Sequence, residues 1–233
     1  MSSVVVINRR ARSEEQKAQR RQAVLEAAET YFLDVGYEAF SMAQLAKRAG
    51  LVKGTLYLYF RTREELFLTL YEKSLSRWRK VFISNLSEPI SSEDYARKLH
   101  NTAMADGTFV PLLIRLEHVI EHNVSIPRLI ESKRAFIQEG DLVAESTSKA
   151  LELSLGQARE VAKTMGVLLI GATRTDQGPL LDDEELPADV QDLIAGFSSE
   201  SLFVKNAVRI IEGIRSEAIA DSKQNQQINE SQQ

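Results

Sequence analysis

The chain has 233 residues, 43% hydrophobic and 27% charged, with a net charge of −4 and no cysteine. That composition suits a globular protein with a real core and excludes disulfide and thiolate chemistry. No apolar run reaches the ~18 residues of a membrane span. The Val4–Ile7 run is too short for a signal peptide, and its charges follow rather than precede it, so a cytoplasmic location with no membrane partner is expected.

The net charge hides an asymmetry. Residues 1–80 hold 15 Lys+Arg against 9 Asp+Glu, a balance of +6, whereas 81–233 hold 14 against 24, a balance of −10. A basic first third on an acidic remainder points to one part that meets a polyanion and one that does not.

Along the chain, residues 1–13 read as a disordered basic arm. Ser13-Glu14-Glu15-Gln16 has the pattern of a capping box. Behind it Val24, Ala27, Ala28, Tyr31, Phe32 and Val35 recur at helical spacing up to Gly36, which suits a C′ position, so a first helix is expected over 14–35. Ser41-Met42-Ala43-Gln44 opens a second, short helix that stops at Gly50. Thr62-Arg63-Glu64-Glu65 opens a long helix that carries Leu66, Leu70, Trp78 and Phe82 and ends before Pro89.

Between those helices stands AGLVKGTLYLYF, Ala49–Phe60, whose last six residues have strand propensity. A lone strand would leave its backbone groups unpaired, and no other convincing strand exists to join it, so 52–59 is expected to be a helix. Ala46 four residues before Gly50, and Leu56 six after it, fit a helix-turn-helix: a small residue permits close crossing, Gly50 takes the turn, and Leu56 plugs the space between. Winding 52–60 at 100° per residue with Leu56 inward buries Val52 and Phe60 beside it. Gly54 and Leu58 then point outward, Thr55 and Tyr57 flank them, and Lys53 and Tyr59 lie at the margins. Such a surface suits a major groove: glycine permits close approach, hydroxyls and Lys find phosphates, and Leu58 can touch a thymine methyl.

Residues 41–66, SMAQLAKRAGLVKGTLYLYFRTREEL, resemble the DNA-binding signature of the TetR (tetracycline-repressor-like) family of bacterial regulators. The resemblance implies an all-α homodimer with an N-terminal three-helix helix-turn-helix domain and a larger C-terminal effector domain. It also implies that Ser41, Lys53, Thr55, Tyr57, Tyr59 and Arg63 sit at the DNA surface. Two positions depart from the family pattern. Val52 stands where Ser or Thr is usual and cannot cap. Arg63 stands where Lys is usual and still binds phosphate.

Downstream, helices are expected over 91–105, 110–122, 127–152, 155–173 and 198–220, with a loop from Arg174 to Pro187 and a disordered tail over 221–233. The resulting division is an arm at 1–13, a DNA-binding domain at 14–60, an effector and dimerisation domain at 61–220, and the tail. By the resemblance, Trp78 and Phe82 line an effector pocket; plain core packing is their other reading. Arg115, His118 and His122 are polar pocket candidates on an otherwise apolar helix. Apolar stripes Val161, Met165, Leu168, Leu169, Ala172 and Phe203, Ala207, Ile210, Ile211, Ile214 make 155–173 and 198–220 candidates for the homodimer contact, which the resemblance implies is a four-helix interface; intrachain core is their other reading.

The function expected is therefore a ligand-responsive transcriptional repressor. It binds a palindromic operator on double-stranded DNA and is released by a small-molecule effector, with no catalytic residues and no cofactor. An activator of the same fold is one alternative. Another is a zinc hydrolase: His118-Val119-Ile120-Glu121-His122 is an H-x-x-E-H whose two histidines would share a helix face, although a third ligand is needed. A helical interaction protein with a vestigial DNA-binding domain is the third.

Overall fold

The computed structural model describes residues 3–174, 186–196 and 198–230, and every regular element among them is helical. The chain divides into two compact units: Met1–Ser74 with Pro111–Ser132, and Leu75–Val110 with Lys133–Gln233. This differs from a cut at residue 60. The linear reading could not see that 111–132 folds back on the first unit, where Arg128 forms a two-pronged pair with Glu72 (2.8 and 2.5 Å) and Arg115 reaches Glu38 (3.3 Å).

The first unit contains α1 (Ser3–Val35), α2 (Met42–Arg48), α3 (Lys53–Tyr57) and the start of α4 (Arg63–Ser84). Helix α1 begins at Ser3, so the backbone expected to be an irregular arm is helical, and Ser13 lies inside the helix rather than at its start. No Pro or Gly interrupts Ser3–Val35, which leaves nothing to break the helix earlier. Gly36 ends it at φ +71°. Helix α2 ends in a Schellman motif: Gly50 N–H bonds Lys47 O (3.2 Å), Leu51 N–H bonds Ala46 O (2.9 Å), and Gly50 sits at φ +66°.

Phe67 is the hub of the core that holds these helices. Phe32, Tyr37 and Phe40 surround its ring at centroid distances of 5.7, 4.8 and 4.9 Å, and Tyr31 packs on Phe40 at 4.7 Å.

The helix expected over 110–122 is broken into three pieces. Helix α6 (Phe109–Leu113) is followed by a π-helical turn at Leu116–Ile120 and a 3₁₀ turn at Glu121–Asn123. The carbonyl of Arg115 accepts from both Val119 and Ile120 N–H, which widens the turn by one residue.

The second unit contains α5 (Ser92–Ala105), α7 from residue 133 onward (Ile126–Leu151 in full), α8 (Leu155–Thr173), α9 (Ala188–Gly196) and α10 (Ser199–Glu230). Helix α9 was missed because nine residues after Pro187 give little periodic signal. Of the loop expected from Arg174 to Pro187, residues 175–185 lie outside the described residues. The expected tail continues α10 as far as Glu230, since no Pro or Gly follows Gly213; 231–233 lie outside the described residues.

Helix α10 packs on α5 and α8. Its stripe Phe203, Ala207, Ile211 and Ile214 is buried, as are Val161, Met165, Leu169 and Ala172 of α8. Most of both stripes thus fills the chain's own core, while Leu168 and Ile210 are only half-buried. Trp78 lies between Phe82 and Phe109, stacked at 5.4 and 4.9 Å, and donates its indole N–H to Thr102 (3.2 Å). Tyr95 meets Phe82 edge-on and shares a 2.8 Å hydrogen bond with Thr147.

Capping followed the sequence unevenly. Ser41 is the N-cap of α2, yet its side chain makes no cap bond. Thr62 does accept from Glu65 N–H (2.9 Å), while the Glu65 carboxylate reaches back to Arg61 N–H rather than Thr62 N–H. The reciprocal capping box is at Ser154 and Gln157, and Ser91 caps α5 through Asp94 N–H.

Glu152 follows α7 at φ +54°, a left-handed conformation that costs a side-chain-bearing residue about 1–2 kcal/mol. Glu152→Gly is expected to stabilise the protein by about 0.5–1 kcal/mol in urea titrations, and Gly50→Ala to destabilise it by about 1 kcal/mol. In the same titrations Leu56→Ala should cost about 2–5 kcal/mol and Val52→Ala less than about 0.5, because only Leu56 is buried.

Candidate nucleic-acid interface

The short helix α3 is set by what lies on either side of it. The Gly50 turn reverses the chain after α2, and Leu56 then inserts with no exposed surface, followed by Phe60, also fully buried. Arg21 from α1 closes over the Phe60 ring at 4.7 Å. This fixes the inward side of α3 where the spacing of Ala46, Gly50 and Leu56 placed it.

Lys53, Gly54, Tyr57 and Leu58 are exposed, and Thr55 and Tyr59 are half-exposed. Nothing lies within 4 Å of where a side chain on Gly54 would begin. The Lys53 ammonium lies 5.9 Å from the Tyr57 ring, and Ser41 is half-exposed with its hydroxyl unused by α2. These residues are brought together in one small unit with the exposed basic residues Lys47, Arg48 and Arg61. Arg48 is already engaged, paired with Asp34 at 2.5 Å and lying over Tyr31 at 4.3 Å.

One residue departs from its expected place. Val52 is not buried beside Leu56 but 73% exposed. It is the N-cap of α3, with extended backbone (φ −77°, ψ 147°), so the 100° spacing does not carry back through it.

Arg63 is also held differently from a free surface cation. Its guanidinium lies over the rings of Tyr37 (4.8 Å) and Phe67 (5.6 Å), and it pairs with Glu64 at 3.1 Å. Arg115 lies 5.0 Å from the same Tyr37 ring and donates to Pro111 O (3.0 Å). Burial pushes the Tyr37 hydroxyl above its ordinary pKa, with the Arg63 charge pulling the other way, so it stays neutral. Tyr37 was not singled out from the sequence. Its only signal there was an aromatic one residue past the Gly36 turn.

The five effector-pocket candidates divide between the units. Trp78 and Phe82 are buried in the aromatic stack of the second. Arg115, His118 and His122 belong to the first, with both histidines exposed. The H-x-x-E-H residues straddle the π turn and the 3₁₀ turn, so the α-helical spacing that would align the two histidines is lost. Among the described residues no three His, Asp or Glu side chains come together as a metal site. Nor, among them, is any helix long and apolar enough to cross a membrane.

Comparison with known proteins places this geometry. Residues 24–70 match the profile "Bacterial regulatory proteins, tetR family", and 71–177 match "Tetracyclin repressor-like, C-terminal domain". The chain is 24% identical over 123 residues to the fatty acid metabolism regulator protein of Bacillus subtilis (strain 168), covering 53% of this chain and 58% of that one. It covers only 32% and 31% of two further B. subtilis HTH-type regulators. With the HTH-type transcriptional activator FasR of Mycolicibacterium smegmatis it shares 23% identity over 77% of this chain and 84% of the relative. A crystal structure of a TetR transcriptional regulator from Rhodococcus sp. RHA1 has the same fold. It aligns with a TM-score of 0.55 at 16% identity, over 86% of this chain and 97% of that one. The two profiles run from residue 24 to residue 177 without a gap, and the chain belongs to the TetR family of bacterial transcription regulators.

Proposed function

We propose that the protein is a ligand-responsive repressor that binds a palindromic DNA operator as a homodimer in the cytoplasm. The observation that carries this reading is α3 itself: Leu56 and Phe60 are fully buried, while Lys53, Gly54, Tyr57 and Leu58 face solvent in a basic part of the chain. Lys53, Thr55, Tyr57 and Tyr59 are assigned to phosphates and base edges, with Ser41 and Arg63 at the flanks and Gly54 permitting close approach. Arg63 would exchange its Tyr37 and Glu64 contacts for a phosphate. Two copies of α3 related by a two-fold axis would enter successive major grooves.

Dimerisation is assigned to α8 and α10. Their buried stripes are used within the chain, so the outward edges carry the contact: Val167, 72% exposed, and the half-buried Leu168 and Ile210. A small-molecule effector is assigned to the region after the DNA-binding helices; its candidate ligand residues are Trp78 and Phe82 in the second unit and, separately, Arg115, His118 and His122 in the first. Arg115 supports a coupling role, because within the first unit it touches both Glu38 and the Tyr37 ring that Arg63 also covers. A few kcal/mol of differential effector binding between two arrangements suffices for release.

The deciding test is a salt series of binding to duplex DNA from the region flanking the gene, beside a scrambled duplex. Tight, selective binding that weakens steeply with salt is expected, with a log–log slope of about −0.9 per phosphate neutralised. Weak binding, equal for both duplexes, would overturn the reading. Tyr57→Ala should lose about tenfold in affinity with unchanged folding; full affinity would remove Tyr57 from the contact set. Val167→Glu should convert a dimer to a monomer by light scattering, and a dimer of unaltered mass would move the interface elsewhere.

A further inference from the structure

The most exposed large apolar side chain among the described residues is Leu58 (78%), followed by Val52 and Ile126 at 73% each; of these, Leu58 and Val52 belong to one helix. They stand at the two ends of the same five-residue helix, Val52 as its N-cap and Leu58 as its C-cap. Neither side chain is buried there. A Val at an N-cap supplies no oxygen for the free N–H groups of the first turn, so it is a poor choice for helix stability as well. Two water-exposed apolar groups on one short helix suit a partner that is apolar only at points, because Lys47, Lys53 and Arg61 of the same unit are exposed as well.

Those cations set the class of that partner as a polyanion, and duplex DNA meets the apolar requirement in one way. The major groove displays hydrogen-bonding groups from every base pair, but its one apolar group is the thymine C5-methyl. Gly54, open above its Cα, lets the helix come close enough for side chains of three or four carbons to reach the base edges. Resting on the DNA-binding reading above, we propose that Val52 and Leu58 are specificity-determining residues. Each covers a thymine methyl, so each operator half-site carries thymine at two fixed positions. Val52 thereby turns the N-cap position from one that can hold a phosphate into one that reads sequence.

The test removes the methyl from the DNA and the side chain from the protein. A pool of random duplexes is enriched on the wild-type protein, and each thymine of the selected site is replaced singly by deoxyuridine, which lacks only the methyl. Wild-type affinity is expected to fall about fourfold at two thymines per half-site, the equivalent of one buried methyl. Val52→Ala should bind the thymine and deoxyuridine duplexes equally at one of these positions, and Leu58→Ala at the other. Unchanged thermal unfolding of both variants checks that the loss is local. If deoxyuridine is neutral everywhere for the wild type, or its penalty persists in both variants, the inference fails while the regulator reading stands. A pool from which no sequence is enriched overturns both.

Discussion

Helix α3 spans only Lys53–Tyr57, too short to hold itself by its own hydrogen bonds. What fixes it is burial of Leu56 and Phe60, together worth about 3–6 kcal/mol, against a core built on α1, α2 and α4. Every property of the candidate interface follows from that anchor. With Leu56 inward, Gly54 and Leu58 must lie outward, and Lys53 and Tyr57 are left at the surface beside them. The Gly50 turn is the second half of the constraint. Its positive φ lets Leu51 and Gly50 close onto Ala46 and Lys47, which aims the chain so that Leu56 meets the core four residues into the next helix.

The same small unit shows how a fold can connect a surface to residues remote in sequence. Phe67 packs Phe32, Tyr37 and Phe40 around it, and the Tyr37 ring meets two guanidiniums, Arg63 from α4 and Arg115 from just after α6. Arg115 in turn leads directly into the π turn, where its carbonyl takes two N–H donors. A widened turn of this kind is held by less regular bonding than an α-helix. The pair Arg128–Glu72 ties the far end of that segment to α4, its charges only partly exposed and bidentately bonded.

In the second unit the chemistry is one of packing. Trp78, Phe82, Phe109 and Tyr95 form a continuous aromatic stack, and burial drives the Tyr95 hydroxyl far above its ordinary pKa, so its hydrogen bond to Thr147 is between neutral groups. Aromatic residues on one face of a long helix can line a cavity or close one. Here Trp78 and Phe82 are buried among their own unit's rings. Any effector that used them would have to enter that stack.

The sequence by itself determined the helical class, the turn at Gly50, the inward phase of Leu56 and Phe60 and the outward placement of Gly54 and Leu58. These depend on short-range spacing, capping chemistry and the lack of a second strand for TLYLYF to pair with. It also carried the family, in the run from Ser41 to Leu66. Only the tertiary structure decided the rest. Val52 escaped the helical phase because an N-cap has extended backbone. Ser13 matched a capping pattern but lies inside α1, and Ser41 is the N-cap of α2 without a side-chain cap bond, since pattern does not say where a helix starts or where a hydroxyl points. The H-x-x-E-H lost its zinc-like geometry because two N–H groups converged on the Arg115 carbonyl. The pairing of 111–132 with the first unit, and the contact of Tyr37 with two arginines, rest on contacts between residues far apart in the chain. No local periodicity encodes such contacts.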